Sequence, residues 1–549
     1  MLSSILSLGA IAGLASAVAA QDYKDVGNGV HVPGAIPHNS LEPLQHRLAF
    51  AGTDGMTISW NTFTKLNTST VTYGYAPDKL EFTASSDTSK TYPSSRTWNQ
   101  HVKLTGLKPG TKYYYKVSNH NIGGSAYLPI YSFKTAKAAG DDTPYTVAVI
   151  GDLGLMGEDG LSTKTGPRGG STHAILDENE TNTIQSMLEL KDTYEYLLHV
   201  GDIGYADYFL KEATQGYFGL SDSETQPTIG AVNVKYEQLS EQFFDQMRPI
   251  TAEKPWMVLP GNHEANCDNG GVTDKTHNIT YTDAYCLPGQ TNFTWYNTHF
   301  NMPSDESGGV ESMWYSFDDG LVHYIMLNTE TDLGADLLGP IENVTNNHNG
   351  PFGVPNQQID WLKNDLENVD RSLTPWVIVS LHRPWYTNVG PPTWPVWQQA
   401  FEQIFYDYEV DMYFNGHVHS YERFSPMFNG TVDPNGLNNP RAPMPVLLGH
   451  AGHYDGLDEF TTTEGNRSVG TAYAQDQEFG WNRLTINNRT HITLEALYGR
   501  NSSVYDTATL YKAHDFSSSS STSSSASSLA ATKTGSTTAS KRWCGKFRC

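Results

Sequence analysis

Cysteine is scarce in this chain, with four among 549 residues. So few thiols exclude a disulfide-built scaffold, and in an exported chain they point to disulfides rather than to metal ligands. Basic charge is also short. Thirty-five Lys and Arg stand against 59 Asp and Glu, giving a formal net charge of −24. That balance excludes the broad cationic surface that nucleic acid or an anionic membrane requires. It does not exclude an anionic substrate, because bound cations can dominate the local field of a site. After the first twenty residues no run is apolar enough to predict a membrane span.

What is present begins with a leader. Residues 1–20 join a weakly charged start to an apolar stretch and the small residues Ala17-Val18-Ala19, the pattern of a signal peptide. Sequons agree with export. Asn67, Asn179, Asn278, Asn292, Asn343, Asn429, Asn466, Asn488 and Asn501 each begin Asn-X-Ser/Thr, which predicts a heavily N-glycosylated, secreted, extracellular protein. Cys267 with Cys286 and Cys544 with Cys549 are the expected disulfides, and pairings between tail and body stay open. Residues 516–540 are nearly all Ser, Thr and Ala, a composition that builds no core. The end, 541–549, is basic and carries two cysteines; it reads as a solvated terminus or as a knob for cell-wall association.

Between leader and tail the grammar changes once. From about Leu44 to Thr135, short alternating runs such as MTISWNT, STVTYGYA and TKYYYKV are separated by Asp, Gly, Pro and Ser turns, which predicts an antiparallel β-sandwich. Trp60 and the stretch from Leu107 to Tyr115 resemble the fibronectin type III pattern of a core Trp and a Tyr after a turn. From Tyr145 apolar strands alternate with amphipathic stretches at 234–247, 356–369 and 396–408, the mark of an α/β domain. Segments 313–330, 444–452 and 481–498 read as further strands, so a mixed sheet is expected. The division predicted is leader 1–20, sandwich 34–138, catalytic domain 142–511 and tail 512–549.

Five strand ends carry the chemistry. Gly151-Asp152, Gly201-Asp202-Ile203-Gly204-Tyr205, Gly261-Asn262-His263-Glu264, Leu381-His382 and Gly416-His417-Val418-His419 follow apolar runs or the run DMYFN, and open α/β sheets place ligands at such ends. Singly these are weak signals, because Asp after Gly commonly caps a turn. Together, Asp152, Asp202, Tyr205, Asn262, His382, His417 and His419 offer only oxygen and imidazole donors, which suits a pair of hard-to-borderline metal ions and not a structural zinc site. Steps of 50 and 60 residues separate Asp152, Asp202 and Asn262, and 35 residues separate His382 from His417, room for helices and decorated loops between strands of one domain.

These residues resemble the metallophosphoesterase superfamily, and Gly201-Asp202-Ile203-Gly204-Tyr205 narrows the resemblance to the purple acid phosphatases of plant and fungal type. It implies an α-β-β-α sandwich of mixed sheets behind the N-terminal all-β domain. It also implies a binuclear centre: Asp152, Tyr205 and His419 on Fe(III), Asn262, His382 and His417 on a divalent Zn, Fe or Mn, and Asp202 bridging. A trivalent ion is what would ionise a phenol whose ordinary pKa is near 10. The implied activity is a secreted acid phosphatase acting on small phosphate monoesters by in-line attack of metal-activated hydroxide, without a phosphoenzyme. No nucleic-acid or membrane partner is expected, and the N-terminal module leaves room for a homodimer contact.

His263 is the first candidate to bind phosphate or protonate the leaving group. Plant members carry two histidines shortly after the His382 motif, where this chain reads Tyr386-Thr387-Asn388-Val389-Gly390, so His450, His453 and Arg383 are further candidates. Two other functions compete: a phosphodiesterase or nucleotide pyrophosphatase on the same core, distinguished by rim loops 155–180, 206–232 and 330–355, and a non-catalytic adhesion glycoprotein.

Overall fold

The computed structural model describes residues 24–25, 31–32, 39–118, 128–156, 176–177, 179–208, 229–265, 273–274, 279–280, 289–331, 356–390, 395–452, 456–461, 463 and 466–514. Alternation builds the first part. Strands β1 (Leu44–Phe50), β2 (Met56–Thr62), β3 (Ser69–Gly74), β4 (Phe82–Ser86), β5 (Ser89–Lys90), β6 (Trp98–Leu104), β7 (Lys112–Ser118) and β8 (Tyr131–Lys134) form two antiparallel four-stranded sheets, ordered β1-β2-β6-β5 and β8-β7-β3-β4. Ile58, Trp60, Val71, Val102, Tyr115 and Val117 are buried between them. Trp60 is a core residue, as expected, and the Tyr113 hydroxyl accepts the backbone N–H of Lys108 at 3.0 Å, closing the turn before β7.

The α/β body has two mixed sheets. The first runs β11-β10-β9-β19-β20-β21, from β9 (Tyr145–Ile150), β10 (Leu197–Val200), β11 (Trp256–Leu259), β19 (Gly480–Asn488), β20 (His491–Tyr498) and β21 (Val504–Tyr511). The second runs β12-β13-β14-β15-β17-β16-β18, from β12 (Tyr315–Asp319), β13 (Val322–Met326), β14 (Trp376–Ser380), β15 (Met412–Asn415), β16 (Tyr421–Phe424), β17 (Met444–Leu448) and β18 (Thr471–Gln475). Strands β9, β10 and β11 are parallel, as are β13, β14, β15 and β17, so their carboxyl ends gather.

Period-two alternation sorts the layers. In β14, Trp376 and Ile378 enter the core shared by the two sheets, while Val377 and Val379 join the layer beneath helix α3 (Gln357–Asn368) and the helical segment 395–407, here α4. On α3 the buried Ile359, Leu362 and Leu366 follow helical spacing. Helices α1 (Thr183–Glu189) and α2 (Ile229–Thr251) cover the first sheet. A capping box starts α1, with Asn182 and Gln185 each bonding the other's backbone N–H. Trp481 of β19 donates to Ser186 of α1, and Phe243 and Phe244 of α2 pack on Trp256. The α-β-β-α order is therefore the one expected.

The described residues up to His514 make one compact unit, and the sandwich is joined to the α/β body by buried polar contacts. Tyr115 donates to the Ala252 carbonyl at 2.7 Å, Arg47 to that of His299 at 3.1 Å, and Tyr92 to Glu237 of α2 at 2.7 Å. Among the described residues no helix is long and apolar enough to cross a membrane.

Candidate metal centre

All five predicted clusters do follow strands, β9, β10, β11, β14 and β15, and the structure brings their seven side chains to one place. The chain turns there by conformations that side chains rarely adopt. Asp152, Asp202, Tyr205 and His417 have φ of 58°, 49°, 49° and 71°. Such left-handed residues cluster where function overrides backbone preference. Close approach needs glycine beside them: a Cβ on Gly416 would lie 2.3 Å from Asp152 Oδ2, and one on Gly201 (φ 88°) would lie 2.5 Å from His382 Nδ1.

The donor atoms fall into two groups. In one, the Tyr205 hydroxyl lies 2.9 Å from Asp152 Oδ1 and 3.1 Å from His419 Nε2, with His419 Nε2 3.3 Å from Asp152 Oδ1. In the other, Asn262 Oδ1 lies 3.1 Å from His382 Nε2 and 2.7 Å from His417 Nδ1. One atom belongs to both: Asp202 Oδ2 is 2.9 Å from the Tyr205 hydroxyl and 3.2 Å from His382 Nε2. Donors about 2.0–2.2 Å from an ion, at tetrahedral to octahedral angles, stand roughly 2.8–3.6 Å apart. Every distance given lies in this range except the 2.7 Å between Asn262 Oδ1 and His417 Nδ1, which falls just short of it, and the two groups share a corner.

Electrostatics and outer partners point the same way. Burial disfavours the Asp202 carboxylate, but His382 and His263 outweigh it and hold its pKa well below the usual range. In return, although burial would lower His382, Asp202 pushes it up to about 9. Val200 accepts the Nδ1–H of His382 at 2.9 Å, which leaves Nε2 toward the donors. Burial and then Arg383 hold His417 well below its ordinary value, so that ring favours its neutral form. His419 is raised, Asp458 and Asp152 outweighing burial, and its backbone N–H donates to Asp458 Oδ2 at 2.9 Å.

His263 sits against the Tyr205 ring, centroids 4.6 Å apart, and its Nδ1 is 2.6 Å from Asp207 Oδ2. Gln290 also donates to that oxygen at 3.2 Å. Nε2 of His263 therefore faces the centre, 4.0 Å from Asp202 Oδ2. Glu264 ties two of the loops together, accepting the N–H of Asp202, Ile203 and Gly261 at 2.8–2.9 Å. Burial and the nearby Asp202 raise its pKa to about 8.

The remaining candidates lie differently. His450 is fully buried, its ring packed on Tyr421 with Nε2 at 3.0 Å from the Tyr505 hydroxyl, and burial lowers it to about 3. A ring so buried has little protonated population, which removes the physical ground for expecting a proton from it. The stretch 386–390 offers no imidazole; Thr387 and Asn388 are buried and bound to the Glu422 carboxylate. His453, Cys267, Cys286, Cys544, Cys549, Asn278, Asn343, and most of the three rim loops lie outside the described residues. The other seven sequon asparagines are exposed. Sequence reasoning did not single out Asp207, Glu330, Glu422 or Asp458. Asp207 alone had a local signal, standing two residues beyond the Gly201–Tyr205 motif.

The chain is similar to known proteins along most of its length. A family profile described as "Purple acid Phosphatase, N-terminal domain" matches residues 43–135, "Calcineurin-like phosphoesterase" matches 145–421, and "Iron/zinc purple acid phosphatase-like protein C" matches 442–507. The chain is 35% identical over 526 residues to acid phosphatase A of Cryphonectria parasitica, covering 91% of this chain and 95% of that protein. It is 31% identical to an acid phosphatase of Aspergillus ficuum, over 75% of each. In fold it is similar to a purple acid phosphatase from yellow lupin, Lupinus luteus, with a TM-score of 0.64 and 22% identity over 86% of this chain and 75% of that one.

Proposed function

Because the chain belongs to the purple acid phosphatase family of calcineurin-like phosphoesterases, and is thus a hydrolase of the acid phosphatase class, we propose that it is a secreted enzyme releasing phosphate from small monoesters at a binuclear Fe(III)–M(II) centre. The observation that carries this reading is the shared corner, Asp202 Oδ2, between two donor groups. The groups differ in character. Asp152 and Tyr205 give the first hard, anionic oxygens suited to Fe(III); Asn262, His382 and His417 give the second neutral donors suited to a divalent ion such as zinc, iron or manganese. When bound, the metal pair supplies an ionised water nucleophile in acid and neutralises charge on the transferring phosphoryl group.

The protein's own residues do the rest. Asp207 fixes His263 through Nδ1 and presents Nε2, from which a proton passes to the departing alkoxide oxygen. Glu264 keeps the Asp202 and Asn262 loops at one spacing. Export rests on the leader and on the seven exposed sequon asparagines, whose glycans an endoglycosidase would remove with a visible loss of mass.

The test is metal analysis and a visible spectrum on wild type and Tyr205→Phe, with a panel of monoesters, diesters and pyrophosphates. Wild type is expected to hold iron and a divalent metal, to show a broad tyrosinate-to-iron band that the folded variant lacks, and to prefer monoesters. Metal-free, inactive wild type would sink the proposal, and a preference for diesters would replace it with the phosphodiesterase reading.

A further inference from the structure

A cleft of about 280 Å³ lies where the sandwich meets the α/β body, and none of the seven donor residues lines it. The sandwich gives it Lys112, the first residue of β7, and Lys134, the last of β8. The body gives it Lys191 and Asp192 from the turn after α1, Glu195 just before β10, and Glu253 and Lys254 just before β11. These body residues precede β10 and β11, whereas Asp202 and Asn262 follow them. The run from Glu195 to Asp202 is largely strand and spans roughly 20 Å. The cleft and the metal centre therefore occupy opposite ends of the first sheet.

Its charge runs against that of the chain. Acidic residues outnumber basic ones 59 to 35 over the whole sequence, yet four ammonium groups line this cleft against three carboxylates. Two of the carboxylates are already engaged. Glu195 accepts from Lys134 at 2.8 Å and from a fifth lysine, Lys137, at 2.5 Å, and Glu253 pairs with Lys191. Lys254 gives one N–H to the Tyr194 carbonyl at 2.7 Å, and Lys112 lies 5.2 Å from the centroid of the Tyr114 ring. Among the described residues neither of these two lysines has a carboxylate in ion-pair contact. The arrangement is costly as it stands. Lys112 and Lys134 are direct partners in the β7–β8 register, and like charges so opposed destabilise a sheet. Lys254 is half-buried, and burial lowers its pKa, with Asp192 opposing the effect and Lys191 adding to it. An anion seated among the four ammonium groups offsets both costs, and a volume near the lower end of ligand pockets suits a small one.

We infer that this cleft is a second anion site, which binds inorganic phosphate through Lys112 and Lys254 and so bridges the sandwich and the body. Charge and size alone point to a small oxyanion; the choice of phosphate rests on the activity proposed above, which releases it. Lysine suits the task, because its ammonium is a compact point charge that takes an oxyanion without a fixed fork geometry.

The experiment titrates metal-loaded protein with inorganic phosphate by calorimetry, at pH 5 and constant ionic strength, and compares each dissociation constant with the Ki of phosphate as a competitive inhibitor of monoester turnover. Wild type, Lys112→Glu and Lys254→Gln are used. Wild type is expected to bind two phosphates, one with a constant equal to Ki and one that does not compete with substrate. Each variant should weaken the second event about 10-fold or more, at unchanged Ki, kcat and KM. Should Lys254→Gln not fold, Lys112→Glu decides alone, since Lys112 is exposed. A single phosphate per wild-type chain, bound with the constant Ki, overturns the inference, and so does a second event that the variants leave unchanged. Wild type without metal or turnover would bring down the metal-centre reading instead; a single event that Lys112→Glu still weakens would then uphold the cleft site.

Discussion

Carboxylates that bind no substrate decide how this centre is held. Asp207 orients His263, Glu264 joins two loops, Asp458 supports the His419 backbone, and Glu330 clamps Arg383. Asp207→Asn keeps the shape of the side chain but weakens its hold on the imidazole. It is expected to slow alkyl phosphates about 10- to 100-fold more than nitrophenyl phosphate, because a poor leaving group needs the proton most. A plot of kcat/KM against leaving-group pKa, steeper in the variant, checks this; equal slopes would reject it. The seven donor positions were legible in sequence because each follows a buried apolar run in a motif of oxygen and imidazole residues. Asp458 and Glu330 were not, since each meets its partner across more than 35 residues of chain. Nor could sequence tell that the His450 ring lodges against Tyr421 and Tyr505, because a histidine at a strand end reads the same whichever way it faces.

Among the elements, α2 carries a pattern of its own. Glu237, Glu241 and Asp245 recur every fourth residue and face the sandwich, where Tyr92 and Ser94 donate to Glu237 and Arg96 lies 3.5 Å from Glu241. Burial raises their pKa values to about 7, 8 and 7, with Arg96 opposing it at Glu237 and Glu241, and Arg248 at Asp245. All three are raised above ordinary carboxyl values near 4, so their stability contribution is complete below about pH 4 and is lost as pH climbs through 7–8. His323 adds to the trend. Held between Asp318 and Asp365, which outweigh burial, it is raised to about 9, and its contribution disappears between about pH 6.5 and 9. The melting temperature should therefore fall from pH 5 to pH 9. Glu241→Gln should recover on the order of 1 kcal/mol at pH 8.5 and flatten that slope, as calorimetry across the range would show. A slope unaltered by the substitution would count against the helix as its source. Strand and helix types were readable here from period, as in β14 and α3. The return of β19 to lie beside β9 was not, because pairing across more than 300 residues leaves no local mark.

At the scale of the whole molecule, the sandwich and the α/β body stabilise one another through polar groups that neither could leave buried alone. Arg47 is 3% exposed and donates to Asn61 and Asn99 within the sandwich and to the His299 carbonyl across the interface. Arg47→Ala strands those acceptors and should cost about 2–4 kcal/mol, measured by denaturant unfolding. The centre ties together loops from both sheets of the body, so removing metal with a chelator is expected to lower the melting temperature by several degrees. Reloading with iron and zinc should restore it, and a melting curve indifferent to chelation would exclude metals as a structural tie. The order of domains along the chain could be read from the change of rhythm near Tyr145; their interlocking could not, because interface residues such as Arg47 look like any other polar position of a strand. The left-handed turns at Asp152, Asp202, Tyr205 and His417 bear on laboratory evolution. Selection for heat resistance in metal-free medium, without an assay of turnover, should enrich glycine at these four codons, and the survivors would be sturdier proteins that hydrolyse nothing.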